Sequence, residues 1–177
     1  MADKTEYKKN KITRDSVPEG FTVSLALVDF LPVLFFGGTG VVLGMILNNV
    51  LVEVCAAAAF LSGLIKVLWK IIVAVHCRNI WAMFVQMRIV MPAAFTLLVA
   101  GVICSVAADS SGLSAAFTGM PQLAFFIAGA ACLGLMMYFA FRLDSSDPKS
   151  NWLEQGINSV GQACIFAGVL IAYLSMR

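Results

Sequence analysis

The residues best equipped for chemistry stand inside apolar runs. Asp29 lies eight residues into the run that begins at Phe21, about 12 Å along a helix axis. A charged side chain near the centre of a bilayer costs roughly 2.5–3.5 kcal/mol on insertion scales, so Asp29 must be neutral, hydrated or partnered. Its natural ligands are a cation, a proton or the cationic group of a solute. A second set follows Asn151 in the last apolar run. Glu154, Asn158 and Gln162 recur every four residues, which moves each about 40° round a helix from the one before. Gln155 and Ser159 widen this arc, and Gly161 and Gly168 border it. Lipid tolerates such a face poorly, so it should turn toward protein or water.

If both runs start from the same membrane side, Asn158 and Gln162 reach depths of about 9–15 Å and bracket Asp29. The expectation is that the two polar faces meet, with Asn158 and Gln162 adding neutral hydrogen bonds to an ion-binding or substrate-binding site centred on Asp29. Plainer roles compete. Glu154 follows Asn151 by three residues, the spacing of a helix-capping box. Asn158 and Gln162 could be interhelical glue, worth only about 0.6–2 kcal/mol each. A carboxylate is a costly way to make glue, which favours a functional Asp29.

Gly37, Gly40 and Gly44 fall within about 80° of Asp29 on the same helix. The Gly40–Gly44 spacing is that of close helix packing, as is Gly161 in the last run. The Asp29 face is therefore expected to meet another helix. Pro32 removes a backbone donor just beyond it. Lys66 and Lys70, one turn apart, are expected to extend to lipid headgroups. Arg88 is a candidate counter-ion for Asp29 or for lipid phosphate. Glu53 lies near the far end of the second run and can reach water.

These residues need long apolar elements to hold them. The 177 residues are 60% hydrophobic and 12% charged, with a mean hydropathy of +0.91. Soluble domains carry about twice that charge. Five runs have the length of membrane helices: 21–47, 50–69, 89–108, 121–141 and 152–174. Ser16 and Glu19 have the spacing of a capping box before the first. Asn48-Asn49 forms a turn, and Pro92 and Pro121 stand in the first turns of the third and fourth runs. Residues 71–88 are apolar but dotted with cations. Two readings compete there: an extension of the second and third helices to a turn near Cys77-Arg78-Asn79, which is favoured, and a separate interfacial helix with Trp81 at headgroup level. "MPAAF" and "MPQLAF" open two runs with similar letters, a weak sign of repetition.

Eleven of the twelve Lys and Arg residues fall on one side of this arrangement and one on the other. The bias places the N-terminus in the cytoplasm and the C-terminus outside. The expected fold is all-α: a polytopic bundle of five transmembrane helices, forming one domain over 20–177 after a polar cytoplasmic tail over 1–19. The tail mixes Lys4, Lys8, Lys9, Lys11 and Arg14 with Asp3, Glu6, Asp15 and Glu19, so it reads as a solvated segment rather than a nucleic-acid-binding arm. It is too long and too acidic for a cleavable signal peptide.

Several chemistries find no support. Cys55, Cys77, Cys104, Cys132 and Cys164 form no CxxC pair, so neither a zinc nor a thiol-redox motif exists. The sole histidine, His76, rules out bis-histidine haem within the chain, and HExxH is absent. Ser114 is expected on the opposite side from His76. Asp109 is at a membrane edge, unsuited to pair with Asp29 as a protease dyad. "GGTGVVLG" lacks nucleotide-loop spacing and sits in a span. No cofactor or metal is expected. The leading expectation is a small transporter or channel-like protein of the cell membrane. It would handle an ion or small solute among lipids, as a homo-oligomer or with a partner membrane protein. A non-transporting scaffold subunit is the alternative, and a lipid-acting enzyme, with Asp29 or Glu154 as acid or base, ranks last.

Overall fold

A computed structural model describes Arg14, Val17 and residues 21–108, 112–142 and 148–177. The capping box proposed at Ser16 and Glu19, the other tail residues and Asp109 lie outside the described residues. The observed cap is Thr22, whose hydroxyl accepts from the Leu25 amide at 3.2 Å. The described residues form six helices: α1 (Val23–Leu47), α2 (Val50–His76), α3 (Trp81–Ala108), α4 (Leu113–Thr118), α5 (Met120–Arg142) and α6 (Pro148–Ser175). All but α4 are long and apolar enough to cross a membrane, as the five apolar runs require.

The helix ends follow local chemistry. Asn48 adopts the left-handed conformation (φ 43°) and ends α1, while the Asn49 side chain accepts from the Leu51 amide and starts α2. Asparagine tolerates both geometries. Asn49 also donates to Ser105 Oγ at 2.9 Å, tying this turn to α3. The region 71–88 follows the continuous-helix reading: α2 and α3 meet across a turn in which Cys77 is left-handed (φ 48°). Asn79 in that turn accepts from Trp69 Nε1 at 3.1 Å.

Two predicted starts shift. α3 begins eight residues before Ile89, so Pro92 stands inside the helix rather than in its first turn. Pro121 does occupy the first turn of α5, so the matching "MP" letters mark unlike positions. α6 begins at Pro148, not Trp152, and a proline in the first position suits a helix start. Asn151 is then already helical and cannot be the cap of a capping box with Glu154. The loop expected before Met120 contains the short helix α4.

The helices pack as a curved row, in the order α3, α2, α1, α6, α5. Among the described residues no substantial contact joins the outer members α3 and α5. The row curves round a core of Val42, Leu43, Val52 and Val169, against which Val102 of α3, Phe117 of α4 and Phe126 of α5 also pack. This core lies toward the end that carries the α1–α2 turn. At the opposite end Trp69, Val73 and Phe84 join α2 to α3.

Candidate functional site

Small residues bring α1 and α2 together. A Cβ added to Gly40 would stand 2.6 Å from Ala56 Cβ, one on Gly37 2.7 Å from the Phe60 ring, and one on Gly44 3.0 Å from Glu53. Only a bare backbone allows this approach. The glycine face of α1 is thus the α2 interface, and Asp29 lies on it as its position predicted. Gly161 serves a different contact: a Cβ there would meet Cys132 and the Gly129 carbonyl of α5.

Asp29 is fully buried. Lys66 Nζ donates to its Oδ1 at 3.0 Å, and Lys70 Nζ lies 2.8 Å from its Oδ2. These are the interactions that let a carboxylate remain inside an apolar helix pair. They also correct the expectation that the lysines extend to headgroups. Lys70 is 5% exposed, and its ammonium lies 5.5 Å from the Phe21 ring centre. Phe21 in turn meets Trp69 edge-on, so aromatic rings stand over the cluster toward the nearer helix ends. Lys66 keeps 23% of its side chain accessible. Glu154 of α6 acts electrostatically on Lys70, bringing a second carboxylate from a third helix. Arg88 makes no ion pair with Asp29; its guanidinium lies 4.4 Å from the Phe84 ring centre, a cation–π arrangement.

Asn158 and Gln162 do not hydrogen-bond to Asp29, contrary to expectation. Among the described residues neither side chain has a hydrogen-bond partner, and both are half-buried. Their direction is nevertheless shared with the cluster. At about 100° per residue, the two fall about 20° on either side of Val169, which belongs to the core inside the curve. By the same count Lys66 lies about 40° from Val52, and Asp29 about 40° from Leu43, both core residues. The hollow side of the row is therefore apolar near the α1–α2 turn and polar toward the other end. Asp29, Lys66, Lys70, Glu154, Asn158 and Gln162 border the polar half.

Gln155, expected to widen the arc, is buried at 8% exposure, and its Oε1 has no hydrogen-bond partner among the described residues. Ser159 donates to the Gln155 carbonyl within its own helix at 2.8 Å. Pro32, also buried, leaves the Val28 carbonyl without its helical donor one residue before Asp29, while α1 continues unbroken. Such a position weakens the helix locally.

The two lysines are what the sequence reading missed, although a signal existed. In the α1–α2 hairpin, the numbers of facing residues add to 96 or 97 at Gly44 and Glu53, Gly40 and Ala56, Gly37 and Phe60, and Gly63 and Val33. Extended inward, that register sets Asp29 level with position 68, midway between Lys66 and Lys70. Among the described residues no three His, Cys, Asp or Glu side chains gather as a metal site. The chain matches no known family, no curated protein and no solved structure.

Proposed function

We propose that the chain is a small transporter or channel-like protein whose working site is the polar half of the hollow side. One observation carries this reading. A fully buried carboxylate is held by two lysines, and two unbonded amides point to the same side. Intramembrane ionisable residues are expensive, and proteins keep them chiefly along ion and substrate paths.

The ligand chemistry differs from that of a bare aspartate. Both carboxylate oxygens face ammonium groups, so a free metal cation would have to displace a lysine. A proton passing between lysine and carboxylate needs no such displacement. An acidic group on a solute could instead pair with Lys66, the more accessible cation, while Asn158 and Gln162 supply neutral hydrogen bonds. In the orientation that places the basic residues in the cytoplasm, this half lies toward the cytoplasmic side beneath the Phe21 and Trp69 rings, and the apolar core closes the other end. The open row encloses no complete path by itself. A second copy or a partner membrane protein would complete the wall between α3 and α5.

The test is reconstitution of the full chain in liposomes loaded with a pH-sensitive dye, with imposed proton and solute gradients. Wild type should dissipate a gradient. Asn158→Leu with Gln162→Leu should lose the flux while keeping the helical circular dichroism signal. Equal flux from protein and from protein-free liposomes, across proton, cation and organic-anion gradients, would sink the proposal.

The open row also favours a second reading, a scaffold subunit whose uncovered α3 or α5 edge receives another membrane protein. That reading predicts loss of a co-purifying partner on alteration of an edge helix, with the polar cluster left intact.

A further inference from the structure

Along the α1–α2 seam, toward the end that carries the Asn48-Asn49 turn, runs a groove of about 650 Å³. Its floor is the glycine line of α1, Gly37, Gly40 and Gly44; its walls include Val41, Ala57 and Phe60. Lys66 lies about 120° round α2 and about 9 Å along it from Phe60, so the groove is separate from the cluster. Pockets of about 300–1,000 Å³ with mostly apolar walls and a few fixed polar groups are the size and type that hold small organic ligands.

Among the described residues, Glu53 is the only ionisable one that lines the groove. Its carboxylate stands against Gly44, close enough that a Cβ there would meet Oε1 at 3.3 Å. Among the described residues no cation pairs with it, in contrast to Asp29. Asn48 lies at the same end, where its backbone turns out of α1. At the other end stands the Phe60 ring. A ligand that fills this space has an apolar or aromatic body and one positive charge. The charge meets Glu53, and the body lies along the glycines toward Phe60, whose ring face also attracts cations.

We propose that this groove binds hydrophobic monocations, such as quaternary ammonium or phosphonium compounds, entering sideways from the lipid. The charge is what separates such a ligand from an acyl chain, for which Glu53 would be an unfavourable neighbour. It also separates it from the apolar helix of a second copy.

The test uses the full chain purified in a neutral detergent, with a tetraphenylphosphonium-selective electrode and protein-free micelles as the blank. Wild type should take up tetraphenylphosphonium saturably. Glu53→Gln should weaken binding at least tenfold, and Ala57→Phe, which fills the groove, should abolish it. Both variants should elute from size exclusion as wild type does. Tetraphenylborate, of similar shape and opposite charge, should show no saturable binding. Equal binding of the two ions would overturn the proposal in favour of an unselective lipid groove. Loss of a dimer in Ala57→Phe, with no phosphonium binding to wild type, would overturn it in favour of a second copy. Unchanged phosphonium affinity in Glu53→Gln would overturn the role of the carboxylate.

Discussion

Replacing Asp29 by asparagine keeps the shape of the side chain and removes its charge. Lys66 and Lys70, both within 3.0 Å of the carboxylate, are then left facing each other without a counter-charge. Removing one member of a buried ion pair costs about 3–5 kcal/mol, because the remaining charge stays desolvated. Lys70, 5% exposed, cannot reach water without moving the helix or the aromatic cover of Phe21. Lys66 retains 23% exposure and relaxes outward more easily. The expected loss therefore sits at the lower end, about 3 kcal/mol. Lys70→Met leaves Asp29 with one ammonium partner and should cost less, about 1.5–3 kcal/mol, the range for a hydrogen bond to a charged group. In the double variant the stranded cation is gone, so the loss should be smaller than the sum of the single losses by about 1–3 kcal/mol. Reversible unfolding in mixed micelles, titrated with sodium dodecyl sulfate and followed by far-ultraviolet circular dichroism, measures all three. If Asp29→Asn lies within about 0.5 kcal/mol of wild type, or the losses simply add, the cluster is not a coupled buried network.

Other expectations follow from single contacts. Gly40→Val should destabilise by about 1–3 kcal/mol in the same titration, because even a Cβ there meets Ala56 Cβ at 2.6 Å. Trp69→Phe keeps the ring packing and loses the hydrogen bond to Asn79, with an expected cost of about 1 kcal/mol. Asn49→Ala removes both the α2 cap and the bond to Ser105, so about 1–2 kcal/mol is expected. A variant retaining only Cys77, which is exposed in the α2–α3 turn, tests orientation. A membrane-impermeant thiol reagent should label it in permeabilised cells and not in intact ones; labelling of intact cells would reverse the proposed topology.

Much of this architecture could be read from the residues. Five apolar runs gave five long helices because a membrane-length stretch has few other ways to satisfy its backbone. Asn48-Asn49 announced the turn between α1 and α2, the glycines announced a close helix contact, and Asp29 fell on that packed face, though its neighbour proved to be α2. The lysines were harder. A long cationic side chain near a helix end reaches water in most membrane proteins, and that general habit outweighed the hairpin register. The facing direction of Asn158 and Gln162 was legible from the helical period, whereas their lack of a bond to Asp29 was not. Direction follows from 100° per residue, but reach depends on how the helices lean. The row order was not legible at all, since apolar faces of α3 and α5 suit lipid and protein equally.

The partners of Asp29 both belong to the first hairpin, while Glu154 arrives only with α6. During synthesis the N-terminal helices emerge first. By the time α2 is complete, its two lysines have at hand the one carboxylate that can meet them. The pair of helices can then leave the translocation machinery as one unit in which Asp29 and Glu53 balance the two lysines, instead of as two segments each burdened by its own ions. Separating them, by lengthening the Asn48-Asn49 turn with a flexible insert, would burden biogenesis before it altered the finished protein.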